Sequence, residues 1–189
     1  MKSFLTACSF ACIASVALGE GYHGAFDSTA PGYGAPLGET QETRLPLVMP
    51  SEDQIDAYDA WFTENEARHL EQHAELLAFR TLAMIPEERP QVDEAGAWLV
   101  DLMSGIGIEN AAYNSNALLV TGEIISDETQ PTILVYGHFD VQPVDESRWD
   151  TDPWVATEVD GKIYGRGSTD NKGMIIAIYF CCDPWIGIP

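Results

Sequence analysis

The feature that most constrains this chain is the apolar run at 132–136, which ends at Gly137 and is followed at once by His138 and Asp140. A short continuous apolar run is typical of a strand that is buried on both faces of a sheet. In α/β proteins, functional residues gather at the carboxyl ends of such strands. The run therefore predicts an inner strand that delivers His138 and Asp140 to a candidate site.

Apolar patterns on both sides of this run predict an α/β domain with a central sheet flanked by helices. A capping box at Ser51–Gln54 predicts the start of the first helix, and Asp160-Gly161 is typical of a two-residue hairpin turn. The pattern leaves open whether the segment at 51–79 forms one helix or two. The predicted elements are helices at 51–79, 92–106 and 172–180, and strands at 117–125, 132–136, 155–159 and 162–164.

The first fifty residues predict two segments outside the folded domain. Lys2 and the apolar or small residues at 4–18 are typical of a secretory signal, and Gly19 offers a small residue for cleavage. An uncleaved membrane anchor is the alternative. Residues 20–50 are rich in Gly, Pro, Thr and acids, which is typical of a flexible, disordered leader. The expected organisation is a signal peptide at 1–19, a leader at 20–50, a folded domain at 51–180 and an atypical tail at 181–189, with export into the secretory pathway or out of the cell.

Charge and cysteine content exclude several classes of partner and site. The formal net charge of −21 opposes binding to nucleic acid or to an anionic membrane surface. Two of the four cysteines, Cys8 and Cys12, lie in the predicted signal peptide, and Cys181 and Cys182 are adjacent. Adjacent cysteines rarely pair because the bridge strains the peptide between them. The sequence therefore predicts no disulfide framework.

A glycine-rich segment, GRGSTDNKG at 165–173, brings a third candidate residue, Asp170. A carboxylate held at the start of a helix stays ionised and can bridge two cations. Neutral imidazole is a common zinc ligand, and its other nitrogen usually donates to a carboxylate, a role that suits Asp140 beside His138. Each segment alone also suits a simpler structure, either a histidine bonded to a nearby acid or a capping aspartate. If the two segments form one site, Asp170 lies beside the ring of His138.

Taken together, these segments resemble a known family. The residues at 137–143 (GHFDVQP), Trp149, the residues at 152–154 (DPW), and the stretches at 160–167 and 170–173 carry the resemblance, which extends more weakly back to about Ser51. The chain is similar to the co-catalytic zinc metallopeptidases, a family that includes carnosine dipeptidases, cytosolic non-specific dipeptidases, aminoacylases and glutamate carboxypeptidases. The Gln142-Pro143 ending points to the dipeptidase branch. The resemblance implies a partial zinc-exopeptidase-type α/β catalytic domain.

The resemblance also implies roles for individual residues. His138 would be a terminal ligand of one zinc ion, and Asp170 would bridge two zinc ions in the complete site, with manganese or cobalt as alternative metals. Asp140, the catalytic residue of the set, would orient the His138 ring. A cis peptide is expected at Asp170-Asn171, where this sequence has Asn at a position often occupied by an acid.

The function implied by the resemblance is that of a secreted zinc metallopeptidase, a dipeptidase that hydrolyses peptide bonds. The chain would be the N-terminal part, with residues 51–180 forming part of the catalytic domain, because the family's general-base glutamate and remaining ligands lie downstream of the second motif. We therefore expect the 189 residues alone to be inactive. The complete protein would take a small peptide as substrate and could form a homodimer. Two alternatives stay open: a non-catalytic, truncated binding protein, and an amide hydrolase acting on acylated amino acids.

Overall fold

The computed structural model describes residues 9–15, 51–125 and 132–187. Within these ranges the chain alternates helices and strands, which confirms the predicted α/β class with a sheet flanked by helices. No helix in these ranges is both long and apolar enough to span a membrane. The helices are α1 (Glu52–Ala78), α2 (Arg89–Gly105) and α3 (Lys172–Gly187), and the strands are β1 (Ser9–Ser15), β2 (Glu109–Asn114), β3 (Leu119–Ile124), β4 (Thr132–Gly137), β5 (Thr157–Val159) and β6 (Lys162–Tyr164).

The main sheet has four strands in the order β2-β3-β1-β4. Strand β1 runs antiparallel to β3 and parallel to β4, so it joins the β2–β3 hairpin to the strand that leads to His138. β1 lies inside the segment that the sequence predicts to be a signal peptide. Cleavage after Gly19 would therefore remove a strand from the sheet as it stands here, and the signal peptide remains a prediction.

Strand β4 forms where the apolar run predicted a strand. The prediction that it is an inner strand was wrong. Among the described strands it lies at the end of the sheet, and the side chains of Leu134 and Tyr136 are 61% and 59% exposed. An apolar run shows that a strand exists, but it does not show how many neighbours cover that strand. On the other face Gly137 is buried close to Ile175 of α3, so the strand still delivers His138 to a packed region.

Helices α1 and α2 begin and end for reasons that the sequence shows. α1 is one continuous helix, and its capping box is confirmed: the Ser51 hydroxyl accepts from the Gln54 N–H at 3.3 Å while the Gln54 side chain accepts from the Ser51 N–H at 2.9 Å. Helix α2 starts with Pro90 in its first turn, where a missing N–H costs nothing. It ends before Gly107, whose φ of 86° suits glycine. The fully buried α2 residues, which form the centre of the core with β3, are Val92, Ala95, Leu99 and Met103.

Strand β2 was not predicted, because its sequence ENAAYN has neither a continuous apolar run nor a strong strand composition. It exists because it pairs antiparallel with β3. The connecting turn is stabilised by the Asn114 side chain, which accepts from the backbone N–H groups of Asn116 at 3.0 Å and Ala117 at 3.1 Å. Asparagine commonly organises turns in this way, so this turn was the available signal for the hairpin.

Strands β5 and β6 form the predicted hairpin. Asp160 and Gly161 have φ values of 51° and 73°, and both positive values are what a tight two-residue hairpin turn of this type requires. The hairpin is a separate two-stranded sheet that leads into the glycine-rich segment.

Helix α3 begins at Lys172 as expected but continues to Gly187, beyond the predicted end at Phe180. Cys182 is 7% exposed and packs in the core, and Asp183 pairs with Arg68 of α1. Residues 181–187, which the sequence indicated as part of an atypical tail, are therefore a continuation of α3. The composition changes at Cys181, whereas the helix and its contacts with α1 continue past it.

Candidate metal centre

The backbone of His138 is fastened to the glycine-rich segment by Asn171. His138 directly follows β4, and its N–H donates to Oδ1 of Asn171 at 3.1 Å. Gly137 allows this approach, since a Cβ at that position would lie 2.7 Å from the same Asn171 oxygen. The asparagine that stands where the family often has an acid thus ties the end of β4 to the start of α3.

The ring of His138 contacts Asp140, the neighbour expected from the sequence. Nδ1 of His138 lies 3.1 Å from Oδ1 of Asp140 and 3.1 Å from its backbone oxygen. Both neighbours of Nδ1 are acceptors, so Nδ1 carries a proton that it donates to Asp140. Asp140 is only 4% exposed, so its carboxylate is held in place beside the ring. The contact expected between the two residues is confirmed.

Asp170 faces the other ring nitrogen. Oδ1 of Asp170 lies 3.0 Å from Nε2 of His138, and the Asp170 side chain is 86% exposed. Two ligands bound at about 2.0 to 2.2 Å to one tetrahedral zinc ion lie about 3.3 to 3.6 Å apart. The observed separation is only slightly shorter than this, so the predicted proximity is confirmed. The predicted cis peptide at Asp170-Asn171 is also present.

The donors present fit part of a zinc site. An imidazole nitrogen and an exposed carboxylate converge on one point, and both donor types are typical of zinc. Within the part of the chain that the structure describes, no group of three or more His, Cys, Asp and Glu residues is placed to hold a metal ion. His138 and Asp170 therefore account for two ligand positions.

The centre opens into a small depression of about 70 Å³. Arg166 lines its wall and is fixed there, because its Nε donates to the backbone oxygen of Gln142 at 2.9 Å and its backbone N–H donates to Pro153 at 2.6 Å. The guanidinium partly offsets the negative charge of the two aspartates. The residues around the depression are His138, Asp140, Val141, Gln142, Arg166 and Asp170.

Lys172 carries a buried amine near Asp140, and its role was not predicted from the sequence. It has no exposed surface, and its Nζ donates to the backbone oxygens of Leu76 at 3.0 Å and Phe79 at 2.7 Å. Burial lowers the pKa of Lys172 to about 7, against the opposing effect of the nearby Asp140 carboxylate. The sequence feature that could have indicated this role is the position of a lysine at the start of the apolar segment that follows Asp170. Its bonds cap the carbonyl end of α1, whose last turn has no basic residue.

Two more histidines lie away from the centre, and the sequence analysis passed over their four-residue spacing. His69 and His73 are on α1, and burial lowers the pKa of both rings. His69 stacks on Phe180 with ring centroids 3.7 Å apart, and its Nε2 lies 3.7 Å from Asp183. These rings pack α1 against α3. They do not belong to the centre around His138.

A larger cavity is also separate from the centre. An apolar cleft of about 430 Å³ lies between α1 and α3 and shares no lining residue with the depression at His138. Its lining is mostly aromatic, with Trp61, Phe62 and Phe180 among its walls. The chemistry of the small depression, rather than the size of the cleft, identifies the candidate site.

Comparison with known proteins also points to a metal-dependent peptidase family. Residues 134–184 match peptidase family M20/M25/M40. The chain is 57% identical over 60 residues to a Beta-Ala-His dipeptidase of Homo sapiens, covering 31% of this chain and 12% of that protein. It is 32% identical over 115 residues to an acetylornithine deacetylase of Pasteurella multocida, covering 55% of this chain and 28% of that protein. The match to the family extends past Phe180, which agrees with the continuous helix α3.

A solved structure shares the fold. The crystal structure of human carnosine dipeptidase 1 superposes with a TM-score of 0.62 and 28% identity, covering 74% of this chain and 32% of that chain. The 189 residues thus span less than one third of each of these three proteins.

Proposed function

We propose that this chain, which belongs to peptidase family M20/M25/M40, supplies part of the metal centre of a zinc-dependent dipeptidase. The observation that carries the proposal is the arrangement around one ring: Nε2 of His138 lies 3.0 Å from Oδ1 of Asp170, while Nδ1 lies 3.1 Å from Asp140. A dipeptidase relative that is 57% identical over 60 residues supports the substrate class. Small peptides are therefore the proposed substrates of the complete protein.

Each of the three residues would have a separate task. His138 and Asp170 would hold zinc, which supplies a Lewis acid that polarises a peptide carbonyl and lowers the pKa of water. With zinc bound, the bond from Nδ1 to Asp140 would keep the ring proton on Nδ1, so that Nε2 could give its lone pair to the metal. Asp170 is 86% exposed on its side chain, which leaves its carboxylate within reach of two cations. The bridging role of Asp170, the count of two zinc ions and the choice of zinc over manganese or cobalt are parts of this proposal.

Zinc binding tests the proposal directly. Titration of the 189-residue chain with Zn²⁺, followed calorimetrically, is expected to show one site that is lost in His138→Ala and in Asp170→Asn. Each loss should exceed the roughly 10- to 100-fold that removing an outer-shell partner costs. Asp160→Asn is the matched control for Asp170→Asn, because Asp160 lies in the β5–β6 turn, where asparagine tolerates a φ of 51°. Equal zinc affinity in the chain and in His138→Ala would refute the proposal.

Hydrolysis by this chain alone is a separate question. The family resemblance assigns the proton-accepting glutamate and the remaining ligands to the region downstream of the second motif. A missing general base typically costs 10²- to 10⁴-fold in rate. We therefore expect the zinc-loaded chain to hydrolyse dipeptides no faster than His138→Ala does.

An amide hydrolase that acts on acylated amino acids is the second candidate function. The acetylornithine deacetylase relative, at 32% identity, supports it. The chemistry at His138 and Asp170 would be the same, since both reactions break an amide bond. The two functions can be distinguished by comparing the rates at which a longer protein containing this chain hydrolyses dipeptides and N-acetyl amino acids. A non-catalytic role, in which the chain binds metal or peptide without turnover, is the third candidate and would show zinc binding with no hydrolysis in any such protein.

Export is the proposed location, with removal of the first nineteen residues as a signal peptide. N-terminal sequencing of protein secreted from a eukaryotic host should begin near Glu20. Recovery of an intact Met1 from the cytosol would contradict export and would agree with a fold that retains β1 (Ser9–Ser15) between β3 and β4.

A further inference from the structure

We propose that Thr81 is a positioning residue for the metal centre, acting through the backbone on both sides of Asp140. This inference rests on the proposed function, since it concerns the same centre. Thr81 belongs to the anchor segment, residues 79–82, which follows the end of α1 and lies far from the centre in sequence.

Thr81 holds the two peptide groups that flank Asp140. Its hydroxyl donates to the backbone oxygen of Phe139 at 2.6 Å, and its own backbone oxygen accepts from the N–H of Val141 at 2.9 Å. Thr81 and Phe139 have no exposed surface and Val141 is 6% exposed, so no solvent competes for these bonds. Asp140 is thus fixed from both sides by one residue.

These bonds continue to the His138 ring. The peptide group between Asp140 and Val141 donates its N–H to Thr81, and its oxygen lies 3.1 Å from Nδ1 of His138. The Asp140 carboxylate lies at the same distance from Nδ1. A shift of the Asp140 backbone would therefore move both acceptors that orient the ring.

The anchor segment also contacts the half of the centre that carries Asp170. The backbone oxygen of Phe79, two residues before Thr81, accepts from Nζ of Lys172 at 2.7 Å. Lys172 in turn lies two residues after Asp170. One short segment thus bonds to both loops that form the centre, and this common anchor helps set the distance between the His138 ring and Asp170.

A pair of variants separates positioning from general stability. Thr81→Val keeps the shape and the backbone bond to Val141 but removes the hydroxyl. Thr81→Ser keeps the hydroxyl but deletes a buried methyl group, which has its own stability cost. Thr63→Val is the control, because the Thr63 hydroxyl donates to Asp59 within the exposed part of α1 and touches nothing at the centre.

The first measurement is the Zn²⁺ dissociation constant of each fully folded variant, with His138→Ala as the variant that lacks the site. Thr81→Val is expected to weaken binding roughly 10-fold or more, as loss of an outer-shell partner does. Thr81→Ser and Thr63→Val are expected to bind as the parent does, although Thr81→Ser unfolds at lower urea. Equal affinity in Thr81→Val and the parent would overturn the inference while leaving the proposed function intact.

The second measurement needs no metal. In zinc-free protein, the ¹H and ¹⁵N shifts of the Nδ1–H group of His138 should report the same hydrogen bond to Asp140 in the parent and in Thr81→Ser. In Thr81→Val these shifts should move toward those of a longer, less ordered hydrogen bond. Unchanged Nδ1–H shifts in Thr81→Val would count against the inference. If the parent shows no His138-dependent zinc binding, the proposed function fails, and unchanged Nδ1–H shifts in the same samples would refute the positioning role independently.

Discussion

Replacing Gly173 with alanine is expected to lower the free energy of unfolding by about 3 kcal/mol or more, at the upper end of what overpacking costs. A Cβ at Gly173 would lie far inside contact distance of the backbone oxygen of Ser168, and 3.0 Å from the carbonyl carbon of the same residue. The obstacle is backbone, which cannot rotate away as a side chain can. The first turn of α3 and the loop that carries Asp170 would have to separate.

The Gly173→Ala loss should appear as a lower urea midpoint and, in the same protein, as weaker Zn²⁺ binding, because the displaced loop includes Asp170. Gly105→Ala is the matched control: Gly105 is the last residue of α2 and has nothing within 4 Å of an added Cβ. Alanine there should be neutral or stabilising by up to about 1 kcal/mol, the helix preference of alanine over glycine. Similar midpoints for the two variants would show that the loop does not pack against α3 as described.

The parts of the centre that depend on neighbouring residues could be predicted from the sequence. His138 and Asp140 are two residues apart at the end of an apolar run, and an extended chain brings such residues to the same side. Asp170 needed its glycine-rich surroundings and the family resemblance, since nothing local relates it to His138. The proximity of Asp170 to the His138 ring, at 3.0 Å, is the point at which the two segments become one site.

The parts that depend on distant backbone could not be predicted. Thr81 donates to a backbone oxygen 58 residues away, and Lys172 donates to oxygens 93 and 96 residues away. A backbone oxygen is present at every residue, so no side-chain pattern marks the one that is used. The position of β4 at the end of the sheet was missed for a related reason, because the pairing of β1 with β4 joins segments more than one hundred residues apart.

Replacing Lys172 with methionine is expected to lower the free energy of unfolding by about 2 to 4 kcal/mol. Methionine matches the length and volume of the lysine stem, so the change mainly removes the amine. Two backbone oxygens, those of Leu76 and Phe79, would lose the donor that now lies 3.0 Å and 2.7 Å away. A buried acceptor left without a partner costs about 1 to 3 kcal/mol.

One effect opposes this loss. A fully buried ammonium group is expensive to keep out of water, and replacing a buried charge with an apolar group is often neutral. Two observations favour destabilisation here. The amine caps the carbonyl end of α1, which has no other basic residue in its last turn, and its charge lies near the buried Asp140 carboxylate. Methionine would leave the carbonyl end of α1 without this donor and would remove a favourable charge near the Asp140 carboxylate.

The measurement is urea unfolding at one pH, with Lys162→Met as the control, because Lys162 lies on the exposed edge of the β5–β6 hairpin. Lys162→Met should change the free energy of unfolding by no more than about 0.5 kcal/mol, as surface substitutions usually do. A Lys172→Met protein as stable as the parent would mean that the desolvation cost of the amine equals the bonds it makes. The bonds of Lys172 would then add nothing to the stability of α1. The anchor segment would be held to the Asp170 loop by packing instead.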